Sequence, residues 1–482
     1  MNVILVLMDT VRRDYLSAYN SATSVKTPNL SALAQQSVVF DQAYIGSYPC
    51  MPARRDLWTG HLDFPWRGWG PLEDGEDTLP AILTRHGVST MLISDHYHLW
   101  EHGSGNYHMD FSGFEFIRGQ ENDHWITDPT IPIDYPAPVN RLCQHMMAIE
   151  SGNDRPGAFE RYRRNTYGRR TEEDYFPARV MRQAMHWLER NRTLEPFFLL
   201  IDCFDPHEPF DPPYPYNRMY DPDYEGPQFI WPSYGRADQY TARELQNIRA
   251  LYAGELTFVD KWFGRLLEKV NELGLDQNTA IICVTDHGHL FGEHNLLGKP
   301  WLGLADPNLY QELAHIPLII RDPQQPHGRR ESSLAQMIDL FPTILDFFDL
   351  DIPPGLHGRS LRSSSTPSAS IALFGKFGES LNVTDGQWVA FIPPNSHTPP
   401  IWYSHRRPHR VRVRRTVWDG FEIELPDTAG LFPALFHVEA DPSQSHNVGG
   451  ERKDQWAYLK ARVRVRLAEI GAPSYLVDRY QL

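Results

Sequence analysis

The chain has 482 residues, a length that predicts one large α/β core with a second, smaller unit. Hydrophobic residues make up 41% and charged residues 22% of the sequence, which excludes a disordered chain. The formal net charge of −15 argues against nucleic acid or an acidic membrane surface as the main partner, but a local basic pocket for a small anionic substrate is compatible with it.

The first 350 residues alternate between short apolar runs and helical patterns. Residues 2–8, NVILVLM, are apolar apart from the first and predict a strand buried on both faces, as in a parallel sheet. Further strands are predicted at 90–94, 197–204, 280–285 and 317–321, and helices at 27–37, 76–87, 172–191 and 242–274. This alternation predicts a large, mixed but mainly parallel sheet flanked by helices on both faces.

The pattern changes after residue 362. A Ser- and Pro-rich piece at 362–370 predicts a linker, and short β-like runs follow it until a final helix at about 452–470. We expect a catalytic α/β domain at 1–365 and a smaller C-terminal subdomain at 366–482, built from antiparallel strands and a helix. Residues 204–235, rich in Pro, Tyr and Asp, predict a long surface excursion near the functional site.

The four cysteines, Cys50, Cys143, Cys203 and Cys283, are scattered and contain no C-x-x-C pair. This spacing disfavours a disulfide framework or a zinc knuckle and is typical of a reducing compartment. No stretch is long and apolar enough to cross a bilayer, and the apolar start lacks a basic region and a small-residue cleavage site. We therefore expect a cytoplasmic protein without a membrane partner.

Acidic and histidine residues follow four of the predicted strands, at the edge where a parallel sheet gathers ligands. A helix cap or a surface histidine explains any single case better than a ligand does, but four cases at one edge favour a shared site. In chain order these residues are Asp9, His96 and His98 in SDHYHL, His207 in DPHEPF, and Asp286 and His287 in TDHGHL. Two carboxylates and an imidazole suit Mn²⁺ or Zn²⁺ better than Ca²⁺.

The stretch SYPCMPARRDLWTG places Cys50 directly before a predicted helix that starts near Pro52. A helix N-terminus lowers the pKa of a thiol, and Arg54, about one helical turn further on, faces back toward the cysteine. The pattern indicates a nucleophile on a surface turn. The alternatives are a small buried thiol beside two solvated arginines, and a cysteine protease with a distant histidine as its base.

Together these motifs resemble the sulfatase family of the alkaline-phosphatase-like superfamily, whose signature is Cys-x-Pro-x-Arg with a Leu-x-Thr-Gly end. The chain has Cys50-Met51-Pro52-Ala53-Arg54 followed by RDLWTG. In that family a formylglycine-generating enzyme acts transiently on the chain and oxidises the cysteine to formylglycine, whose hydrated form binds a metal and attacks sulfur. The resemblance, which covers most of the chain, implies an alkaline-phosphatase-like fold and hydrolysis of a small anionic sulfate ester.

The resemblance also implies roles for individual residues, carried over position by position. The metal ligands would be Asp9, modified Cys50, Asp286 and His287. The catalytic residues would be Cys50, Arg54, His207, Lys299 and His98, with His207 or His98 protonating the leaving group. The substrate-binding residues would be Thr10, His96, His98, His207 and Lys299.

Two departures from the family pattern bear on metal and substrate. Thr10 stands where many sulfatases have a second acidic residue, and His287 stands where many have Asn or Gln. The second departure resembles the phosphonate monoester hydrolase and phosphodiesterase branch, which shares the formylglycine and favours Mn²⁺-like metals. We expect one divalent ion, Ca²⁺ or Mn²⁺ with Zn²⁺ as a further candidate. A phosphonate monoester or phosphodiester hydrolase is the alternative activity.

Two other classes of protein fit these residues less well. A phosphomutase or phosphatase of the superfamily would need a Ser or Thr nucleophile and a two-metal acidic cluster, which Cys50 and Thr10 do not provide. An inactive binding protein would have no need to retain the whole set of candidate site residues. We expect the organic part of the substrate to contact aromatic side chains. Ordinary surface packing explains each of these residues equally well. They are Trp66, Trp69, Tyr214 and Tyr216. A homo-oligomer stays open.

Overall fold

The computed structural model describes residues 1–73, 75–101, 104–133, 157–299, 308–325, 328–362, 369–395 and 432–482, and four short strands between 402 and 424. Eight strands form the main sheet: β1 (Asn2–Met8), β2 (Val38–Tyr44), β3 (Ser89–Ser94), β4 (Gly113–Phe116), β5 (Phe197–Cys203), β7 (Thr279–Val284), β10 (Leu318–Arg321) and β11 (Arg329–Gln336). Their order is β11-β2-β10-β7-β1-β5-β3-β4. Only β10 runs against the others, so the predicted mixed, mainly parallel sheet is confirmed.

All five strands predicted from apolar runs are present. Three strands of the main sheet were not predicted in this way: β4 and β11 at the sheet edges, and β2, whose sequence VVFDQAY is interrupted by Asp41 and Gln42. The sequence of β11, RRESSLAQ, is charged and exposed over its first half and becomes apolar and buried only near its end. In β4, Phe114 is 48% exposed. An edge strand is covered incompletely, so it lacks the continuous apolar run that marks a central strand.

The central strand β1 shows why its sequence is a continuous apolar run. Val3, Leu5 and Leu7 point into a core on one face of the sheet. Their neighbours Ile4, Val6 and Met8 point into a second core on the other face. Because successive side chains of a strand alternate between faces, both sets must be apolar when helices cover both sides.

Helices cover the sheet between the strands. The longest helix of the described residues, Ala242–Glu272, is capped by Thr241 and Glu244, whose side chains each accept a hydrogen bond from the other residue's backbone N–H. Its buried face packs in the second core. The α-helices of the described residues are α1 (Pro28–Ala34), α2 (Cys50–Thr59), α3 (Leu79–Arg85), α4 (Ala158–Thr166), α5 (Phe176–Arg190), α6 (Tyr216–Met219), α7 (Ala242–Glu272), α8 (Gln311–Ala314), α9 (Leu340–Phe347), α10 (Lys453–Glu469) and α11 (Tyr475–Arg479).

The predicted C-terminal antiparallel sheet is also present. It contains four strands in the order β12 (Ala372–Gly375), β13 (Leu381–Thr384), β14 (Trp388–Ile392) and β19 (Ala434–His437). One face of β12, with Phe374, lies in the first core of the main sheet, and the other face, with Leu373, packs against Leu459 and Val463 of α10. The predicted boundary at 365/366 falls outside the described residues, so the division into domains stays a prediction.

The remaining strands are short. A three-stranded sheet, β6-β9-β8, ties the excursion at 204–235 to the segment that ends at Lys299. Its strands are β6 (Gly235–Arg236), β9 (Leu296–Gly298) and β8 (Leu290–Phe291). Two hairpin-like pairs complete the set: β15 (Trp402–Tyr403) with β16 (Arg410–Val411), and β17 (Arg415–Trp418) with β18 (Phe421–Glu424).

Two further expectations concern cysteines and membranes. Cys50, Cys203 and Cys283 are free and buried, and Cys143 lies outside the described residues. Of the helices described, none has the length and apolar character needed to cross a bilayer.

Because the small sheet shares one core with the main sheet, the two should unfold together. Leu459 of α10 is fully buried in the core under the small sheet, so Leu459→Ala should lower the free energy of unfolding by about 2–5 kcal/mol. Urea titrations followed by circular dichroism and by tryptophan fluorescence should shift together. The control is Tyr458→Ala, since this side chain is 47% exposed. Separate transitions from the two probes would contradict a shared core.

Candidate active site

The register of the central strands brings two acids to one edge of the sheet. Leu7 of β1 pairs with Val284 of β7. Asp9 and Asp286 each follow two residues later, so their carboxylates leave the sheet side by side. Cys50, the first residue of α2, reaches the same edge. Asp9 and Asp286 are fully buried and Cys50 is 3% exposed.

The turn before Cys50 is fixed by the rest of its motif. Asp56 accepts hydrogen bonds from the backbone N–H of Ser47 at 2.6 Å and from its hydroxyl at 2.7 Å. A Cβ at Gly46 would lie 2.1 Å from Oδ2 of Asp56, so only glycine allows this close approach. Gly60 then ends the helix at φ 67°. The RDLWTG segment therefore holds the turn that presents Cys50.

One expectation about this motif is wrong, and so is one part of an alternative to it. Cys50 lies in a buried turn and not on the surface, and burial together with the carboxylates of Asp9 and Asp286 raises the pKa of its thiol well above the usual range. Neither arginine is solvated, because Arg54 is fully buried and Arg55 is ion-paired with Asp63 at 3.0 Å. These surroundings disfavour a free thiolate and give no support to the cysteine-protease alternative.

Four residues could hold a metal ion. The ligand atoms of Asp9, Cys50, Asp286 and His287 lie within 4.8 Å of one another, and the described residues contain no second group of this kind. Nε2 of His287 is 3.1 Å from Sγ of Cys50. Nδ1 of the same ring lies 2.9 Å from the carbonyl of Gly288, which fixes the proton on Nδ1 and leaves the lone pair of Nε2 facing the cluster.

The charges of this cluster fit a divalent cation. Burial and the neighbouring Asp9 carboxylate raise the pKa of Asp286 to about 8. Burial opposes the charge of Asp9 as well, but Arg54 and the hydrogen bond with His96 hold its pKa well below the usual range. Burial lowers the pKa of His287 to about 3, so its imidazole is neutral. A cation between the two carboxylates would remove their repulsion and find oxygen and nitrogen ligands already in place.

Arg54 holds the acids of the site together. Its Nε and Nη2 donate to the two oxygens of Asp202 at 2.9 and 2.7 Å. Nη1 donates to Asp286 at 2.7 Å and to the carbonyl of Cys50 at 3.2 Å, and Nη2 also donates to Asp9 at 3.1 Å. These bonds occupy the five N–H donors of the guanidinium. No donor of Arg54 is left for substrate oxygens, so its contribution is to hold the acids in place.

Lys299 and His207 lie on the other side of the cysteine. Lys299 is buried, and its Nζ is 3.9 Å from Sγ of Cys50 and contacts Nε2 of His207. Nδ1 of His207 hydrogen-bonds the carbonyl of Glu208 at 2.6 Å, which leaves Nε2 as the acceptor. Burial disfavours the ammonium, but nearby acidic groups, including Glu208 and Asp9, raise the pKa of Lys299.

The remaining predicted residues have partners within the protein. The hydroxyl of Thr10 donates to Asp9 at 2.6 Å, and Nε2 of His96 lies 3.2 Å from the other oxygen of that carboxylate. The two ring nitrogens of His98 are each 2.9 Å from a carboxylate, Nδ1 from Glu101 and Nε2 from Glu121. Burial opposes the cation, but these carboxylates raise the pKa of His98 to about 10. His98 is therefore a cation locked between two anions.

Several residues of this site were not predicted. Asp202 is an acid inside the apolar strand FFLLIDC, which is a signal that the sequence offered. Glu208 directly follows His207, whereas Glu101 and Glu121 have no local pattern. Of the four aromatic residues expected at the substrate, Trp69 alone contacts a predicted site residue, with its ring 4.9 Å from His98. Trp66 stacks on His357, Tyr216 packs against Phe258, and Tyr214 is 80% exposed.

Replacing the guanidinium of Arg54 should lower metal affinity, because its hydrogen bonds hold the acidic residues of the metal site in place. Arg54→Lys keeps the charge but cannot bridge three carboxylates, so metal affinity should fall by about 10–100-fold. Chelator competition monitored by metal analysis measures this. Arg85→Lys is the matched control, since Arg85 forms an exposed ion pair with Asp77. Equal affinities in the two variants would contradict the assigned role.

Comparisons with known proteins identify the family of the chain. The sulfatase family model matches residues 1–350. An arylsulfatase of Clostridium perfringens is 27% identical over 75% of this chain and 77% of its own, and arylsulfatase K of Bos taurus is 23% identical over 96% and 81%. The solved phosphonate monoester hydrolase of Agrobacterium radiobacter shares the fold with a TM-score of 0.67, at 22% identity over 97% of this chain and 95% of its own. The chain belongs to the sulfatase family.

Proposed function

We propose that this protein hydrolyses sulfate esters with a formylglycine made from Cys50 and one divalent metal ion. The observation that carries the proposal is the position of Cys50. It lies at the start of its helix, 3.1 Å from the imidazole of His287 in the four-residue cluster and 3.9 Å from the ammonium of Lys299. A nucleophile here has metal ligands on one side and a cation for the substrate on the other.

Asp9, Asp286, His287 and the modified Cys50 would hold the metal. When bound, a divalent cation lowers the pKa of a ligating hydroxyl and offsets the negative charge of the substrate. The hydrated formylglycine would supply one hydroxyl as nucleophile and a second that would allow sulfate to be released, which a serine or threonine could not do. The imidazole beside two carboxylates favours Mn²⁺ or Zn²⁺ over Ca²⁺.

The chain's own residues divide the remaining work. Arg54 holds Asp9 and Asp286 in place with one hydrogen bond to each. Lys299 offers its ammonium to the sulfate or leaving-group oxygens in a site sheltered from water, where such a contact is strong. Nε2 of His207 would pass a proton to the leaving group, and this proton would come from the ammonium of Lys299, which Nε2 contacts. We favour His207 over His98 for this step because both nitrogens of His98 already face carboxylates. Thr10 and His96 orient Asp9.

Other parts of the proposal concern the protein's surroundings. A formylglycine-generating enzyme would act on Cys50 as a transient partner. We keep a cytoplasmic location, a catalytic domain at 1–365 and a subdomain at 366–482 as predictions. Nucleic acid is not expected as a partner because the net charge is −15. Assembly into a homo-oligomer is compatible with the sequence.

A phosphonate monoester or phosphodiester hydrolase is the second candidate. The observation that favours it is His287, an imidazole in the metal cluster at a position where many sulfatases have an amide. Parallel assays with an aryl sulfate and an aryl phosphonate monoester separate the two candidates. A higher kcat/KM for the sulfate supports the first proposal, and a higher value for the phosphonate supports the second.

Cys50→Ala should abolish turnover and leave a cooperatively folded protein. The thiol is small and touches polar groups, so its loss removes little apolar packing while it removes the nucleophile. Ester hydrolysis and thermal unfolding measure the two effects. Cys203→Ala is the control, because Cys203 is a buried cysteine in the core of the second face. Turnover by Cys50→Ala near that of the control would refute the nucleophile assignment.

His287→Ala should weaken metal binding and change metal preference. Removal of the imidazole leaves a set dominated by oxygen, which suits Ca²⁺ better than Mn²⁺ or Zn²⁺. Metal content and activity after reconstitution with each ion test this, with His315→Ala as the control, since His315 hydrogen-bonds the carbonyl of Asp41 at 2.7 Å, outside the cluster. An unchanged order of metals in His287→Ala would show that His287 is not a ligand.

A further inference from the structure

Glu208 is a buried carboxylate that has no part in the mechanism proposed above. It is 1% exposed and follows His207 after the end of β5. Its carboxylate faces three nitrogens: Nζ of Lys299 at 3.8 Å, Nδ1 of His207 at 3.5 Å and Nε2 of His289 at 3.6 Å. Oε2 of Glu208 and Nε2 of His289 have no hydrogen-bond partner among the described residues. A buried acid in this state is costly unless a neighbouring cation offsets it.

Lys299 is that cation. Of the carboxylates in the described part of the chain, only Glu208 forms an ion pair with it. The ammonium also lies 5.7 Å from the ring centroid of Tyr234, and Cys50 lies on its other side at 3.9 Å. Lys299 is thus held between an anion behind it and the nucleophile in front of it.

Glu208 also fixes the orientation of the His207 ring. The backbone carbonyl of Glu208 accepts the hydrogen bond from Nδ1 of His207 at 2.6 Å, which turns Nε2 toward Lys299. One residue therefore orients both groups that face the substrate's oxygens, through its carbonyl and through its carboxylate. His289 packs on Phe291 and Phe210, so the far side of the carboxylate is apolar and closed.

We propose that Glu208 is a positioning residue: its carboxylate draws Lys299 back from the bound anion in the ground state and holds it at the place where charge develops on the leaving group. This inference rests on the proposed function. A single negative charge behind the ammonium weakens the attraction of Lys299 for a bound sulfate, while the fixed geometry favours the transition state. Anion binding and turnover should therefore respond in opposite directions when the charge is removed.

The test is Glu208→Gln, which keeps the shape of the side chain and removes its charge. Inorganic sulfate should bind the metal-loaded protein about threefold more tightly in this variant, measured by calorimetry. kcat for an aryl sulfate should fall about tenfold or more, with a larger loss for poor leaving groups. A purely structural role would weaken sulfate binding and turnover together. Glu208→Asp, which keeps the charge, should retain more activity than Glu208→Gln.

Two further variants make the result specific. In the Lys299→Ala background, Glu208→Gln should have little further effect on kcat, because the group that it positions is absent. Glu379→Gln is the matched control, since Glu379 is also a buried acid that is ion-paired with a lysine, Lys376, and it lies outside the proposed machinery. Its sulfate affinity and kcat should stay at the wild-type values.

The outcomes separate this inference from the proposed function. An active wild type whose kcat and sulfate affinity are unchanged by Glu208→Gln would overturn the inference and leave the function intact. Additive losses of kcat in the double variant would also overturn it. If Glu208→Gln binds sulfate more tightly than the wild type, as predicted, but the wild type hydrolyses no sulfate ester, the proposed function is rejected. The link between Glu208 and Lys299 is then kept.

Discussion

The site depends on one buried guanidinium. Three carboxylates, those of Asp9, Asp202 and Asp286, lie at the carboxyl edge of the sheet without access to water, and their mutual repulsion would be severe in such a medium. Arg54 contacts all three and also the carbonyl of Cys50. It therefore couples the strand ends to the helix that carries the nucleophile. A lysine at this position would keep the charge but lose the planar fork that matches several acceptors at once.

The burial of so many charges explains how the site selects an anion. Lys299 is the cation that remains beside the cysteine once Arg54 is occupied by acids, and Glu208 stands behind it. His98 is neutralised by its own pair of carboxylates. The positive charge available to a substrate is thus concentrated near Lys299 and the metal ligands, in a protein whose overall charge is negative. Local arrangement, and not net charge, determines which ligand this edge accepts.

Much of the fold could be predicted because β1, β3, β5, β7 and β10 are apolar runs. Edge strands such as β11 could not, since a half-exposed strand has no such run. For the site, residues such as Asp9 and His287 could be predicted because each comes just after a predicted strand. Partners that come from distant loops, such as Glu101 and Glu121 around His98, give no local signal. Sequence shows which residues meet at an edge but not which of their hydrogen-bond donors are already occupied, as those of Arg54 and Thr10 are.

The central claim is that Cys50 becomes the nucleophile of a metal-dependent ester hydrolase. Mass spectrometry of the peptide containing Cys50, from protein produced with a formylglycine-generating enzyme, tests it most directly. The account predicts that this peptide has lost one sulfur and two hydrogens and gained one oxygen, and that specific activity rises with the converted fraction. A fully active preparation in which the Cys50 thiol is intact would contradict it.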